Sequence, residues 1–234
     1  MTRNRLSATS LKLIAIVCMF FDHASVAVLE KHVEINIVAM IAYYTLRAVA
    51  RISFPIFCFF IVEGFMHTRS KWKYALRLFT FALLSEIPFD SSLFGKLIFT
   101  GYQNAYFTLL FGMICIWIID TIGKHVPRKS FFYIAGSIVV TSLFSGAAYF
   151  LRTDYGYKGV VAITLLYILR PYRWSAILSS CAVLCINNLA EAPCFLVYPL
   201  LRFYNGERGK GLKYLFYIFY PAHLALLAFA RYLL

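Results

Sequence analysis

The sequence predicts an all-α, polytopic transmembrane bundle of about nine or ten helices with its N-terminus in the cytoplasm, and three observations carry that prediction. Hydrophobic residues make up 62% of the 234-residue chain and charged residues only 14%, with mean hydropathy +0.74, far from the balance of a soluble domain. Apolar runs close to membrane-spanning length recur from one end of the chain to the other. The basic residues sort by side: with the N-terminus inside, sixteen of the 23 lysines and arginines fall in cytoplasmic segments, while the acidic Glu30, Glu34, Asp90, Asp154 and Glu191 fall outside.

Taken in order, the spans are expected near 11–29, 52–67, 74–89, 104–121, 131–150, 158–169, 174–190, 193–204 and 214–232. Several are short for a bilayer of ordinary thickness, which implies tilt or local thinning. The segment 35–50 is either a further span or a surface or re-entrant helix; a separate crossing there would invert the parity of everything after it. The first run is long and has no small-residue cleavage signature, so it reads as a retained helix. Pro88 is expected to end the helix that contains it. No repeat, linker or low-complexity stretch interrupts residues 1–234, so a single domain is expected, multi-pass in the cytoplasmic (inner) membrane.

Composition also excludes some chemistry. The net charge of +13 comes from loops between spans and not from one basic face, so nucleic acid is not an expected partner; the lipid bilayer is. Cys18, Cys58, Cys115, Cys181, Cys185 and Cys194 lie in apolar runs without ligand spacing, which reads as buried thiols and no metal site. No phosphate-binding loop, nucleophile elbow, dinucleotide fingerprint or zinc-helix motif occurs. Any chemistry must therefore be assembled from single residues on separate helices.

Lys12 and His23 stand eleven residues apart in the first run, about three turns of helix, so they share a face roughly 16 Å apart along the axis. His23 and its neighbour Asp22 lie deep in the apolar segment, where ionisable groups are costly and commonly functional. A packing role is the plain alternative, and successive helical positions diverge by about 100°, so the two cannot pair face to face. Glu63 lies inside the second run, four residues before His67, and Gly64 permits close approach there. Arg69, Lys73 and Arg77 recur every four residues and would form a cationic stripe on one continuous helix, suited to phosphate; positive-inside topology explains the same charges without a ligand. Polar groups on the outer side, Glu86, Asp90, Asn104 and Asp154, are candidates for acceptor binding or simply for caps and turns. His223 places a second histidine in the last span, after Tyr220 and Pro221.

These residues together resemble a known family. Lys12-x10-His23 is similar to the first-helix motif of acyltransferase-3-type membrane enzymes. Leu11-Lys12-Leu13-Ile14-Ala15, Asp22-His23, Phe54-Pro55-Ile56-Phe57, Glu63-Gly64-Phe65, Ser85-Glu86-Ile87-Pro88-Phe89-Asp90, Asp154-Tyr155-Gly156 and Tyr220-Pro221-x-His223 resemble the TraX family over nearly the whole chain. The resemblance implies acetyl transfer from cytosolic acetyl-CoA, in that family to the N-terminus of a conjugative pilin. It implies His23 as catalytic histidine and Lys12, Arg69, Lys73 and Arg77 near the CoA phosphates. Asp22 or Glu63 would stabilise the imidazolium, although Glu63 replaces a serine of the superfamily's second motif. Glu86, Asp90, Asn104, Asp154 and His223 would line the acceptor side, the acceptor itself being a peptide N-terminus, a sugar or a small metabolite. A proton-coupled transporter built on Asp22, His23, Glu63 and Glu86 is the competing reading; the absence of visible internal repeats counts against it.

Overall fold

A computed structural model describes residues 6–233, and the chain in it is helical, with no strand among the described residues beyond two isolated bridges, Leu6 with Tyr204 and Gln103 with Thr153. Arg3 and Arg5, counted above among the cytoplasmic cations, lie outside the described residues. The helices are α1 Ala8–Ala24, α2 Ile37–Ala50, α3 Ser53–His67, α4 Lys71–Phe94, α5 Ala105–His125, α6 Phe131–Phe150, α7 Gly156–Ile168, α8 Arg173–Leu184, α9 Val197–Arg202 and α10 Lys213–Leu233. Five helical runs are long and apolar enough to cross a membrane: Ala8–His32, Ile37–His67, Ala105–His125, Phe131–Phe150 and Tyr214–Leu233. The protein is a membrane protein with an all-α fold.

Two compact units emerge. Of the described residues, the first takes those up to Phe57, Leu83–Phe99, and those from Asn187 onward; the second takes Cys58–Ala82 and Thr100–Ile186. In the first unit α1 packs on α2 and α10. Ser7 caps α1 by accepting from the Ser10 amide at 3.2 Å, and the Thr9 hydroxyl donates to the carbonyls of Arg208 and Lys210 at 2.9 and 2.7 Å. The loop before α10 is thereby tied to the start of α1. Lys12 lies over the Phe216 ring near the start of α10, and His23 meets His223 further along, so α1 and α10 run in the same direction. After α1 the chain continues as a π-helical turn, Ser25–Leu29, and a 3-10 turn, Glu30–His32.

The second unit is built from α5 packed on α6 and α7, α6 on α7, and α7 on α8. Packing is tight at Gly112 of α5, where an added Cβ would collide with the Cδ1 of Ile163 and stand 3.0 Å from its Cβ. Ile163 is fully buried and its Cβ belongs to the α7 backbone frame, so the helix itself would have to move. Gly112→Ala is therefore expected to destabilise the second unit by about 1–3 kcal/mol, the usual cost of overpacking. Thermal unfolding in detergent checks it, with Gly146→Ala as control, since nothing lies within 4 Å of a Cβ there.

Several expectations need correction. The segment 193–204 is no span. Leu189–Leu196 is a 3-10 run and α9 has 6 residues, about 9 Å of helix, too short for any bilayer. Pro88 does not end its helix: α4 continues through it to Phe94, as apolar helices tolerate proline where neighbours re-satisfy the freed backbone group. Arg69 precedes the first residue of α4, so only Lys73 and Arg77 share the helical stripe. The segment 35–50 forms α2, which a two-residue turn joins to α3 as one 31-residue apolar run, Ile37–His67.

Candidate functional site

The site builds around His23 in the first unit. His23 is 7% exposed, and its Nδ1 lies 2.8 Å from Nε2 of His223 on α10, with the two rings nearly parallel at 13°. The tautomers follow from the next contact along. His223 Nδ1 lies 2.7 Å from the Phe219 carbonyl, which can only accept, so His223 carries its proton on Nδ1. For neutral rings, His223 Nε2 is then an acceptor and His23 Nδ1–H must donate to it. That leaves the lone pair of His23 on Nε2, where no hydrogen-bond partner occurs among the described residues. The relay has the logic of a hydrolytic triad, an acceptor on Nδ1 orienting a basic Nε2, with a second imidazole where a triad has a carboxylate. Tyr220 packs edge-on against both rings, at 5.8 and 5.6 Å between centroids, and Phe219 stacks on His223.

Asp22 does not orient His23. Its carboxylate lies 3.4 Å from Arg47 and 4.0 Å from Arg51, both from α2 and its end, and Arg51 reaches on to Glu191 at 3.3 Å. Asn188 donates to the same Glu191 from 3.5 Å. Two arginines and two acids thus neutralise one another beside the histidine, and they anchor the 3-10 run Leu189–Leu196 to α1 and α2. The helix geometry that forbids an Asp22–His23 pair is what releases Asp22 for the arginines.

Against that geometry stand the comparisons with known proteins. A family model described as "TraX protein" matches residues 7–231. The chain belongs to the TraX family. A relative from Dichelobacter nodosus, described as "Probable fimbrial assembly protein FimC, serogroup H1", is 31% identical, with 99% of this chain and 98% of the relative covered. No solved structure matches.

The other candidate residues of this TraX chain are placed less centrally. Also in the first unit, Lys12 sits over Phe216 on the α10-facing side of α1, the side that carries His23. Glu86 is half-buried on α4. Asp90 is 2% exposed; it accepts from the Phe99 amide at 2.6 Å through Oδ2, while its buried Oδ1 has no hydrogen bond. Arg231 of α10 donates to the carbonyls of Ser92 and Leu93 at 3.0 and 2.8 Å, satisfying the end of α4.

In the second unit, Glu63 is half-exposed near the end of α3, and the exposed His67 donates from Nδ1 to the Glu63 carbonyl at 2.8 Å. Arg69 and Lys73 are exposed; Arg77 is half-buried over the Tyr74 ring, its buried Nε without a hydrogen-bond partner. Asn104 and Asp154 do meet in one corner, but in structural roles. Asn104 caps α5 through the Tyr106 amide and donates to the Ala82 carbonyl, while Asp154 accepts from the Tyr102 hydroxyl and the Tyr155 amide. The Thr108 hydroxyl and the Asp154 carbonyl close the same corner.

The strongest ionic cluster of the second unit was not singled out from sequence. Asp120 of α5 takes Lys71 and the Tyr167 hydroxyl at 2.6 Å each, with Lys124 at 3.5 Å and Arg128 at 3.8 Å. Lys71 also lies 4.1 Å above the Phe65 ring, and Arg170 lies 4.3 Å above the ring of Tyr167. A lone carboxylate late in a long apolar run was the available signal. For Arg47 and Arg51 the signal was two arginines four apart at the end of another.

Proposed function

We propose that this chain is an integral membrane acetyltransferase that takes an acetyl group from cytosolic acetyl-CoA and gives it to an amine or hydroxyl acceptor. The observation that carries the reading is the His23–His223 pair. It holds a neutral imidazole in the tautomer a general base requires, inside the first apolar helix, with the basic nitrogen uncommitted.

His23 Nε2 takes the proton of the acceptor as its nitrogen or oxygen attacks the thioester carbonyl carbon. The carbon–sulfur bond breaks, and the proton passes from Nε2 to the departing thiolate, giving free CoA and the acetylated acceptor. His223 keeps the imidazole oriented throughout. Lys12, on the α10-facing side of α1 that also carries His23, is the phosphate cation proposed within the first unit. The match over residues 7–231 supports one functional unit. The loop charges support a multi-pass protein of the cytoplasmic membrane with its N-terminus inside.

The Dichelobacter nodosus relative is described as a fimbrial assembly protein, so a pilin N-terminal amine is the first acceptor to test. Purified protein in detergent, given acetyl-CoA and a peptide with the N-terminal sequence of a pilin, is expected to release CoA thiol and add one acetyl group at the α-amine. The same peptide with a blocked N-terminus is expected to give only background release. Equal thiol release from both peptides would rule out the peptide amine as acceptor. No release with any amine or hydroxyl acceptor would end the enzymatic reading.

A further inference from the structure

We infer that the cations gathered around Asp120 form a binding site for the phosphodiester headgroup of an anionic phospholipid, at one rim of the second unit. Charge is out of balance there. Asp120 is met at 2.6 Å by both the Lys71 ammonium and the Tyr167 hydroxyl, one on each carboxylate oxygen. Lys124 and Arg128 nevertheless stand 3.5 and 3.8 Å from those same two oxygens, and the Arg170 guanidinium lies 4.3 Å from the centroid of the Tyr167 ring. Among the described residues no second carboxylate pairs with any of these three cations. Asp154 lies at the opposite end of the unit, bonded to the Tyr102 hydroxyl. Positive-inside topology explains the sign of these charges. It does not explain why they converge on one point from the end of α5, the loop before α6 and the turn after α7.

The depth of the cluster points to the source of the phosphate. One apolar span ends at His125 and the next begins at Phe131, so Lys124 and Arg128 stand where hydrocarbon gives way to headgroups. Phe131, Phe132 and Tyr172 are exposed close to the cations in sequence, an aromatic and basic rim of the kind that marks a lipid interface. The side chains of Lys124 and Arg128 are 62% and 49% exposed, so both have donors facing out of the unit. A phosphodiester brings one negative charge and two unesterified oxygens, which a guanidinium grips in a fork while an ammonium answers the same charge. Basic pockets between spans on the cytoplasmic side hold anionic headgroups in this way. Asp120, fixed by Lys71 and Tyr167, keeps Lys124 and Arg128 on either side of it against their mutual repulsion. The inference is independent of the acetyltransferase reading.

The test titrates the full chain, in a neutral maltoside detergent, with phosphatidylglycerol carrying a fluorophore on one acyl chain. Saturable binding is expected in the parent. It should weaken about fivefold in Lys124→Gln and in Arg128→Gln, and roughly 20-fold or more when both are combined with Arg170→Gln, the scale of losing one and then three cations near a membrane surface. Lys129→Gln, in the same loop, and Arg152→Gln, near Asp154 at the other end, are expected to bind as the parent does. Melting temperature without added lipid reads folding, and the two exposed single variants carry the test if the triple variant is unstable. Parent-like binding by Lys124→Gln and Arg128→Gln overturns the inference. A loss in Lys129→Gln equal to that in Arg128→Gln would make the attraction diffuse and also overturns it. Displacement of the lipid by millimolar inorganic phosphate or free CoA would assign the cluster to a soluble phosphate instead. Equal affinity for phosphatidylcholine would remove the need for a net anion; either result overturns the lipid assignment.

Discussion

His23→Ala is expected to lower acetyl transfer by about 10²–10⁴-fold, the range that general base catalysis contributes, without unfolding the protein. The imidazole is buried but not a large packing element, and among the described residues its hydrogen bond is to His223. His223 keeps its bond to the Phe219 carbonyl after the change and loses only a donor to Nε2, a modest penalty of about 1–3 kcal/mol. Melting temperature therefore separates loss of chemistry from loss of fold. His223→Phe is the companion measurement. It preserves an aromatic ring against Phe219 and Tyr220 but removes the acceptor that fixes the His23 tautomer. Its rate should fall by less than that of His23→Ala, and the two changes combined should be no worse than His23→Ala alone, since groups that act as one unit are not additive. Normal transfer by His23→Ala would refute the base assignment, and a multiplicative double variant would refute the relay.

The largest effect on stability is expected at Asp120. Asp120→Ala leaves the Lys71 ammonium and the Tyr167 hydroxyl without the carboxylate that both contact at 2.6 Å, and Tyr167 is fully buried. Removing one partner of a buried ion pair costs about 3–5 kcal/mol, and the lower end applies because Lys71 is partly exposed, with 23% of its side chain accessible. For a chain of this size about 3 kcal/mol corresponds to a fall in Tm of roughly 6–12 °C. Removing the orphaned charge as well, in Asp120→Ala with Lys71→Met, should recover part of the loss, because the uncompensated ammonium is the costly remainder. Differential scanning calorimetry or thermal aggregation in a mild detergent reads both. An unchanged melting temperature in Asp120→Ala would mean that the Lys71–Asp120–Tyr167 cluster contributes nothing to the fold.

How far the sequence goes is clearest at particular residues. Lys12 and His23 could be put on one face because eleven residues is a fixed rotation of any helix, and both do face α10. Asp22 and His23 could be said not to pair for the same reason. Chain length, apolar spacing and loop charge determined that this is an all-helical membrane protein, because lipid admits few backbone solutions and every one leaves a mark on composition. Tertiary structure alone decided that His23 meets His223, 200 residues away, that Asp22 belongs to Arg47 and Arg51, and that Asp120 holds Lys71 and Tyr167. It also decided that 193–204 coils into 3-10 turns and a single short helix, an apolar run indistinguishable by composition from a spanning one. A buried polar group announces in the sequence that it must have a partner, but the partner is chosen by which helices pack side by side, and local periodicity carries no record of that choice.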